Sequence, residues 1–528
     1  MNVFSPQQDR AEFNGVIHEN PELCTDFLST IKPLVTLRIQ ESTICGGETG
    51  LFVCEDVPQG ADVFRSTPLL TFAGWEGNVQ WQKFICAHCF RFSRPHFLPF
   101  RKDKNNAASE STMKLCAGCK SCGYCSQKCQ LEAWRFGHKS ECSIFARQPN
   151  FIAIQRTMLR ILIQYKSGEL LTPCLFKALL ALKSDEEAWA DSDAYSDYLS
   201  IAQIAKHASG TRLEIESVWD ILCKVLTNAT AVQPAEVGTD GVYLGTTLDP
   251  VISLLRHSCE PNVFIFFEGN QLRVRSLKPL KAGEEISRSY TWTEDSPRCQ
   301  REDKELSDWA GADTERTKSL ARAQQQASEY FQSQPSISGT NIDVDCEIIE
   351  RTMKQMARGV LNEDKWPDNL QPMPQILLQL SKYYLAQNDS VESLKLSLRA
   401  LLAQDRRFGP YWANQLAEWL TYLVRLTPTT TEDLTKLPFV TFGDLMDVIS
   451  GYSREATLVV AKVFGTDTSF SKTLQKRDVE HSIRMGTPNL SSVNFLQRFK
   501  NAQGKFLLWA GIDVSRELLL SDEWVSKA

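Results

Sequence analysis

The 528-residue chain has no uninterrupted apolar stretch of the about 20 residues a membrane helix needs, so no membrane partner is expected. Its first residues, MNVFSPQQDR, lack a basic segment followed by an apolar run, so no secretory signal is read there. A basic surplus is missing too. The 58 Lys and Arg are outnumbered by 64 Asp and Glu, giving a net charge of −6, which argues against nucleic acid as the main partner. No repeat period is clean enough for a solenoid. Apolar content of 42% and charged content of 23% are ordinary for a soluble globular protein, expected in the nucleus or cytoplasm.

What is present is length and cysteine. One hydrophobic core stops growing near about 250–300 residues, so two or more domains are expected. Of 16 cysteines, eight fall between Cys86 and Cys142. In a reducing compartment such a cluster points to metal rather than disulfides.

The stretch from Glu41 to Phe72 reads as strands, with Leu51, Val53, Val57, Val63 and Phe64 around a Pro58-Gln59-Gly60 turn. Residues 151–225 read as helices, with Ile154, Met158, Ile161 and Tyr165 at helical spacing. Val263–Phe267 and Leu272–Leu277 read as strands joined at Glu268-Gly269-Asn270. Polar residues 295–345, with QQQASEYFQSQPSISGT inside them, read as a linker. Beyond Asp345 three helical stripes follow: Ile376, Leu380, Tyr384; Val391, Leu394, Leu398, Leu401; and Trp412, Leu416, Leu420, Leu423.

The cysteine cluster is four ligand pairs in order: Cys86 with Cys89, Cys116 with Cys119, Cys125 with Cys129, and His138 with Cys142. Seven thiols and one imidazole make two four-coordinate sets, the donor chemistry of tetrahedral zinc. Two- and three-residue spacers let both side chains of a pair reach one ion. A RING finger also braces two zincs this way. The string Cys116-Ala-Gly-Cys119, Tyr124-Cys125-Ser126-Gln127-Lys128-Cys129-Gln130, Trp134, His138 to Cys142 resembles the MYND finger instead. That resemblance implies alternating pairs. Cys86, Cys89, Cys125 and Cys129 would hold one zinc, and Cys116, Cys119, His138 and Cys142 the other, with Cys122 left over. Two departures are visible: KDKNNAASEST lengthens the spacer after Cys89, and Gly137 takes up slack before His138. The finger's ten Lys and Arg exceed its four Asp and Glu by six, and thiolates lower that to about +3. Nucleic-acid contact is therefore weak at most, and the resemblance implies proline-containing peptides as partners.

Leu255-Arg256-His257-Ser258-Cys259-Glu260-Pro261-Asn262 is similar to the NHSCxPN segment of SET domains. Ala282-Gly283-Glu284-Glu285-Ile286-Ser287-Arg288-Ser289-Tyr290 is similar to their GEEIxxxY segment. Glu48-Thr49-Gly50-Leu51-Phe52 stands where the family has a Gly-rich turn, and Asn228 where it has a cofactor-contacting Asn. Together these resemble the SET and MYND domain-containing protein-lysine methyltransferase family.

The resemblance implies an α+β fold. In it a SET-domain β-fold is split by a MYND double zinc finger and a helical insertion, and an all-α C-terminal domain follows. The expected boundaries are an N-terminal arm 1–35, SET strands 36–85, MYND finger 86–142, helical insertion 143–225 and SET core 226–295. A linker 296–345 replaces the post-SET segment, and a helical domain 346–528 closes the chain. The implied activity is methyl transfer from S-adenosyl-L-methionine to a protein lysine, on histone or non-histone substrates. The alternative is a degenerate scaffold that docks partners. Tyr290 is the expected catalytic residue, and Thr49, Gly50, Asn228, Arg256 and His257 the expected cofactor-binding residues.

Three departures bear on the site. Arg256 replaces the family's Asn. At about 6 Å from a sulfonium it would cost about 3 kcal/mol at an effective dielectric of about 20, so it is expected to face the cofactor carboxylate or a protein acid. The CxCxxC cluster that completes a third zinc with the Cys259 position is missing; only Cys299 and Cys346 follow Tyr290. Two zinc ions are therefore expected. Glu48 adds an acid to the Gly-rich segment and would repel a cofactor carboxylate if it pointed inward.

Overall fold

The computed structural model describes residues 17–68, 70–74, 81–92, 113–167, 178–235 and 244–290. Further along it describes 318, 322–327, 329, 351–355, 357–359, 366–368, 370, 372–387, 389–403, 409–425, 441–485 and 493–512. The chain divides into two compact units, Met1–Tyr290 and Thr291–Ala528. Among the described residues no helix is long and apolar enough to cross a membrane.

The first unit is built on small sheets. Strands β1 (Ile31–Pro33), β2 (Leu37–Glu41), β3 (Thr49–Val53), β4 (Asp62–Ser66) and β5 (Leu70–Ala73) come before the cysteine segment. Within that segment lie β6 (Lys114–Leu115) and β7 (Gly123–Tyr124). After it come β8 (Thr230–Ala231), β9 (Gly245–Leu248), β10 (Arg256–His257), β11 (Val263–Glu268), β12 (Gln271–Ser276) and β13 (Ser287–Arg288). The largest sheet runs β1-β4-β12-β11. Strands β11 and β12 form the expected hairpin, with Glu268 opposite Gln271 and Gly269 at φ 64° in the two-residue turn. Val263 to Phe267 are all buried, which explains why the run is continuously apolar rather than alternating. Asp62, at the start of β4, gathers Arg65, Arg273 and Arg275, so one carboxylate is shared by three cations of the sheet.

Pairing of β5 with β9 joins the two halves of the unit across everything between them. The inserted helices are α2 (Gln127–Ala133), α3 (Lys139–Arg147), α4 (Ala153–Ser167), α5 (Glu186–Ala190), α6 (Tyr195–Ser209) and α7 (Ile215–Asn228). An earlier helix, α1 (Pro21–Ser29), is capped by Asn20. On α4, Met158 and Ile161 are fully buried, as their spacing predicts.

The structure differs from the sequence reading in three places. Residues 31–33, inside the stretch read as an arm, are a sheet strand, with Ile31 opposite Ser66. Thr49 and Gly50 lie in β3, and the turn is at Gly47, whose φ is 79°. Residues 322–327, in the middle of the stretch read as a linker, are helical because Ala323 and Ala327 recur on one face and pack into a core. Most of that stretch, Cys299 and Cys346 lie outside the described residues.

The second unit is helical: α8 (Met373–Ala386), α9 (Ser390–Ala403), α10 (Pro410–Arg425), α11 (Phe442–Phe464), α12 (Ser469–Met485) and α13 (Val493–Trp509). Ile376, Leu380, Leu394, Leu398, Leu401, Trp412, Leu416, Leu420 and Leu423 are all buried. Thr441 and Asp444 cap the start of α11 reciprocally. Trp419 packs edge-on against Tyr452 at 4.5 Å, and Gln503 Nε2 donates to the Tyr452 hydroxyl at 2.7 Å.

Candidate metal centres and active site

The eight predicted zinc ligands form two groups, Cys86, Cys89, Cys125, Cys129 and Cys116, Cys119, His138, Cys142. Within each, the donor atoms lie within 4.8 Å of one another. In the first group Cys125 Sγ is 3.5 Å from both Cys89 Sγ and Cys129 Sγ. In the second, Cys116 Sγ is 3.7 Å from Cys142 Sγ and 3.3 Å from His138 Nε2. A tetrahedron with Zn–S of about 2.3 Å has edges of about 3.8 Å, so these separations are the edges of ligand cages. The donor sets fit zinc.

Local backbone devices build the cages. Phe90 and Lys120, each immediately after a CxxC pair, have positive φ of 56° and 59°. Their N–H groups donate back to the carbonyls of Cys86 and Cys116, both at 3.0 Å, closing two equivalent knuckles. Left-handed backbone is uncommon for such residues, and its repetition marks a constrained site. Gly118 is needed by close approach, since a Cβ there would sit 2.8 Å from Cys142 Sγ. Ser126 caps α2 by accepting from Cys129 N at 3.2 Å, which turns Cys129 toward Cys125. The extra length before His138 is absorbed by a π-helical turn, Trp134–His138, with Gly137 at φ 141°. His138 turns Nε2 to the thiols and Nδ1 to Cys122 Sγ, 3.9 Å away. Cys122, outside both groups, thus lies behind a ligand, and Arg156 donates to its sulfur at 3.5 Å.

The other predicted residues come from four separate segments. The two motif segments lie side by side: β10 and β13 pair in parallel, with Arg256 opposite Ser287 and His257 opposite Arg288. Asn262 clamps them, accepting from Ser287 N at 2.8 Å and donating to the Glu285 carbonyl at 2.7 Å. Tyr290 closes onto the other strand. Its hydroxyl donates to the Leu255 carbonyl at 3.0 Å and its N–H to His257 Nδ1 at 3.1 Å. Its ring is half exposed and lies 5.2 Å from the imidazole.

Arg256 meets a protein acid. It pairs with Glu48, and its Nε donates to the Thr49 carbonyl at 2.8 Å. Glu48 also takes Lys183 Nζ at 2.6 Å. Partial burial pushes the Glu48 carboxyl up, but the Lys183 hydrogen bond and the Arg256 charge outweigh it, and the group lies below its ordinary range. Lys183 leads to Asn228, whose Nδ2 donates to the Lys183 carbonyl at 2.8 Å and the Lys224 carbonyl at 2.7 Å. Thr49 is buried, with its hydroxyl 3.1 Å from His18 Nδ1. Thr49, Asn228, Arg256, His257 and Tyr290 are thus linked through one chain of contacts, and Gly50 follows Thr49 in β3.

Three residues that the sequence reading did not single out support this site. Asn262 has been described. Glu285 accepts from Ser42 Oγ and Thr43 N, both at 2.7 Å, and fixes the loop leading to Glu48. Arg288 lies under the Tyr290 ring, 4.6 Å from its centroid. All three sit inside the quoted motif segments, which was their only signal. A cavity of about 330 Å³ lies elsewhere, between the cysteine segment and β5, and none of the candidate cofactor residues lines it.

Comparison with known proteins gives the same grouping. The MYND finger family model matches residues 86–142. N-lysine methyltransferase SMYD2 of Homo sapiens is 31% identical over 186 residues, covering 34% of this chain and 41% of that protein. Histone-lysine N-methyltransferase SMYD3 of Mus musculus is 25% identical over 266 residues, 48% of this chain and 55% of that protein. SET domain and MYND-type zinc finger protein 6 of Schizosaccharomyces pombe is 29% identical over 178 residues, 33% of this chain and 34% of that protein. The matches thus span between a third and just over half of these relatives. Over the matched stretches the chain is thus similar to proteins that carry a MYND finger and to SET–MYND proteins.

Proposed function

We propose that the chain is an S-adenosyl-L-methionine-dependent protein-lysine N-methyltransferase with a SET domain split by the finger and helical insertion. The observation that carries this reading is the closure of Tyr290 onto the Leu255–His257 strand, with Asn228 tied into the same network through Lys183 and Glu48. When bound, the cofactor supplies a methyl already activated by its sulfonium.

The protein's own residues then have defined tasks. The Tyr290 hydroxyl spends its proton on the Leu255 carbonyl, so its lone pairs are left to accept from an approaching amine. Asn228 spends both Nδ2 protons on helix and loop carbonyls, which leaves its Oδ1 to receive a donor such as the cofactor's α-ammonium. Glu48 neutralises Arg256, so the residue that replaces the family's Asn places no unpaired cation beside a sulfonium. The backbone at His257 borders the adenine position in this reading. A protein lysine of histone or non-histone origin is the acceptor, in nucleus or cytoplasm, and zinc is structural.

Calorimetric titration with S-adenosylhomocysteine tests the reading, followed by transfer of labelled methyl to protein lysine. Binding by the wild type and loss of transfer in Tyr290→Phe are the expected results. A docking scaffold is the second reading, favoured by the described cavity, which none of the candidate cofactor residues lines. No binding heat, with both zincs in place, would leave that reading standing.

A further inference from the structure

Five buried or half-buried arginines of the first unit meet acids. Arg65, Arg273 and Arg275 converge on Asp62, Arg160 forks onto Glu141, and Arg256 pairs with Glu48. Arg288 differs from these five. It is only 9% exposed, and among the described residues no ion pair reaches it. Its Nη2 donates to the Thr230 hydroxyl at 3.1 Å. Its guanidinium faces the Tyr290 ring, and its Nε is enclosed without a partner. Burial pushes its pKa down to about 10, still well above neutrality, so it remains a cation. A hydroxyl and an aromatic face are weak compensation for a buried charge.

The location gives the imbalance meaning. Arg288 lies beside His257 in the parallel pair, beneath a half-exposed tyrosine, with Thr230 two residues from Asn228. A buried, under-satisfied cation packed against the candidate catalytic tyrosine and beside the His257 strand is a ligand position. A lysine ammonium would be repelled there, so the group that completes the site is an anion, and the planar fork suits a carboxylate. We propose that Arg288 is a carboxylate-recognition residue of the Tyr290 cleft. Resting on the methyltransferase reading, the carboxylate comes either from the amino-acid end of the methyl donor or from an Asp or Glu beside the acceptor lysine.

The test is Arg288→Met, which keeps length and removes charge. Without ligand, its melting temperature is expected to equal or exceed that of the wild type, because no acid is left unpaired. The first ligand arm compares S-adenosylhomocysteine with 5′-methylthioadenosine, which lacks the carboxylate-bearing end. The second compares methyl transfer to lysine peptides carrying Glu or Gln next to the lysine. In one arm the wild-type preference for the carboxylate partner should be tenfold or more and vanish in the variant; that arm names the source. Equal ratios in wild type and variant in both arms overturn the proposal, as does a variant that melts lower or fails to fold, since Arg288 is then a packing residue. If the wild type binds neither nucleoside, the methyltransferase reading falls separately. Succinate then decides the site: it should raise the melting temperature of the wild type and leave that of the variant unchanged, and no rise overturns the proposal.

Discussion

The cysteine segment and the Tyr290 cleft assemble their chemistry in opposite ways. Eight donors of the first come from one stretch, Cys86 to Cys142, and are set by local turns and helix starts within it. The cleft draws Glu48, Lys183, Asn228, Arg256 and Tyr290 from segments spread over more than half the first unit's length. The finger therefore depends on an ion for its order, and the cleft on side-chain pairs that span the fold. A ligand cage can be read from spacing. A relay of charges cannot.

The largest expected effect separates the two directly. Purified protein should carry two zinc ions by elemental analysis. A chelator, or Cys129→Ser, should release the finger, because structural zinc contributes an apparent about 10–16 kcal/mol to folding of such units. Three zincs per chain would break the comparison, since the cleft would then also be organised by metal.

Next is Tyr290→Phe. Loss of the hydroxyl should lower the methyl-transfer kcat by about 10²–10⁴-fold while leaving the melting temperature and S-adenosylhomocysteine affinity close to wild type. A drop in stability of the same size as the drop in rate would make Tyr290 a packing residue of the parallel strand pair.

Glu285→Gln probes the loop that carries Glu48. Glu285 is buried, and one amide cannot accept from Ser42, Thr43 and Ile44 as the carboxylate does. The expected loss is about 1–3 kcal/mol by urea denaturation, with faster proteolysis at residues 42–48. An unchanged cleavage rate would show that the loop is held by other contacts.

The smallest effect is a pH dependence at Glu48. Its folded pKa is lowered, so its pairs with Lys183 and Arg256 stabilise the fold at pH above the unfolded value and lose that contribution as pH falls through the folded one. The Glu48 side chain is 30% exposed and its Lys183 partner mostly exposed, so screening by solvent leaves less than about 1 kcal/mol. Urea midpoints of the wild type and Glu48→Gln should differ near neutrality and converge on acidification. A gap that persists in acid would assign the difference to packing.

Legibility followed the same division. The finger's ligands, the hairpin around Gly269, the slack at Gly137 and the buried stripes of α8, α9 and α10 are local patterns, and the sequence carries them in its spacing. The motif segments also pointed to His257 and Tyr290. What spacing did not carry was pairing at a distance. Glu48, read as a hazard to a carboxylate, is the counter-ion of Arg256 from 208 residues away. Arg288, read as one of three variable letters before Tyr290, is the buried cation of the cleft. The strand Ile31–Pro33 was missed because three residues hold too little alternation to show a period, and only their β4 partner makes them a strand.

The β5–β9 pairing has a consequence for synthesis. Thr247 Oγ1 donates to the Leu70 carbonyl at 3.0 Å across 177 residues of chain. At about 5–20 residues per second, β5 leaves the ribosome about 9–35 s before its partner exists. During that interval its backbone edge lacks this partner, and the finger, whose last ligand is Cys142, is complete before β9 exists. The order of synthesis therefore lets metal capture precede closure of the sheet.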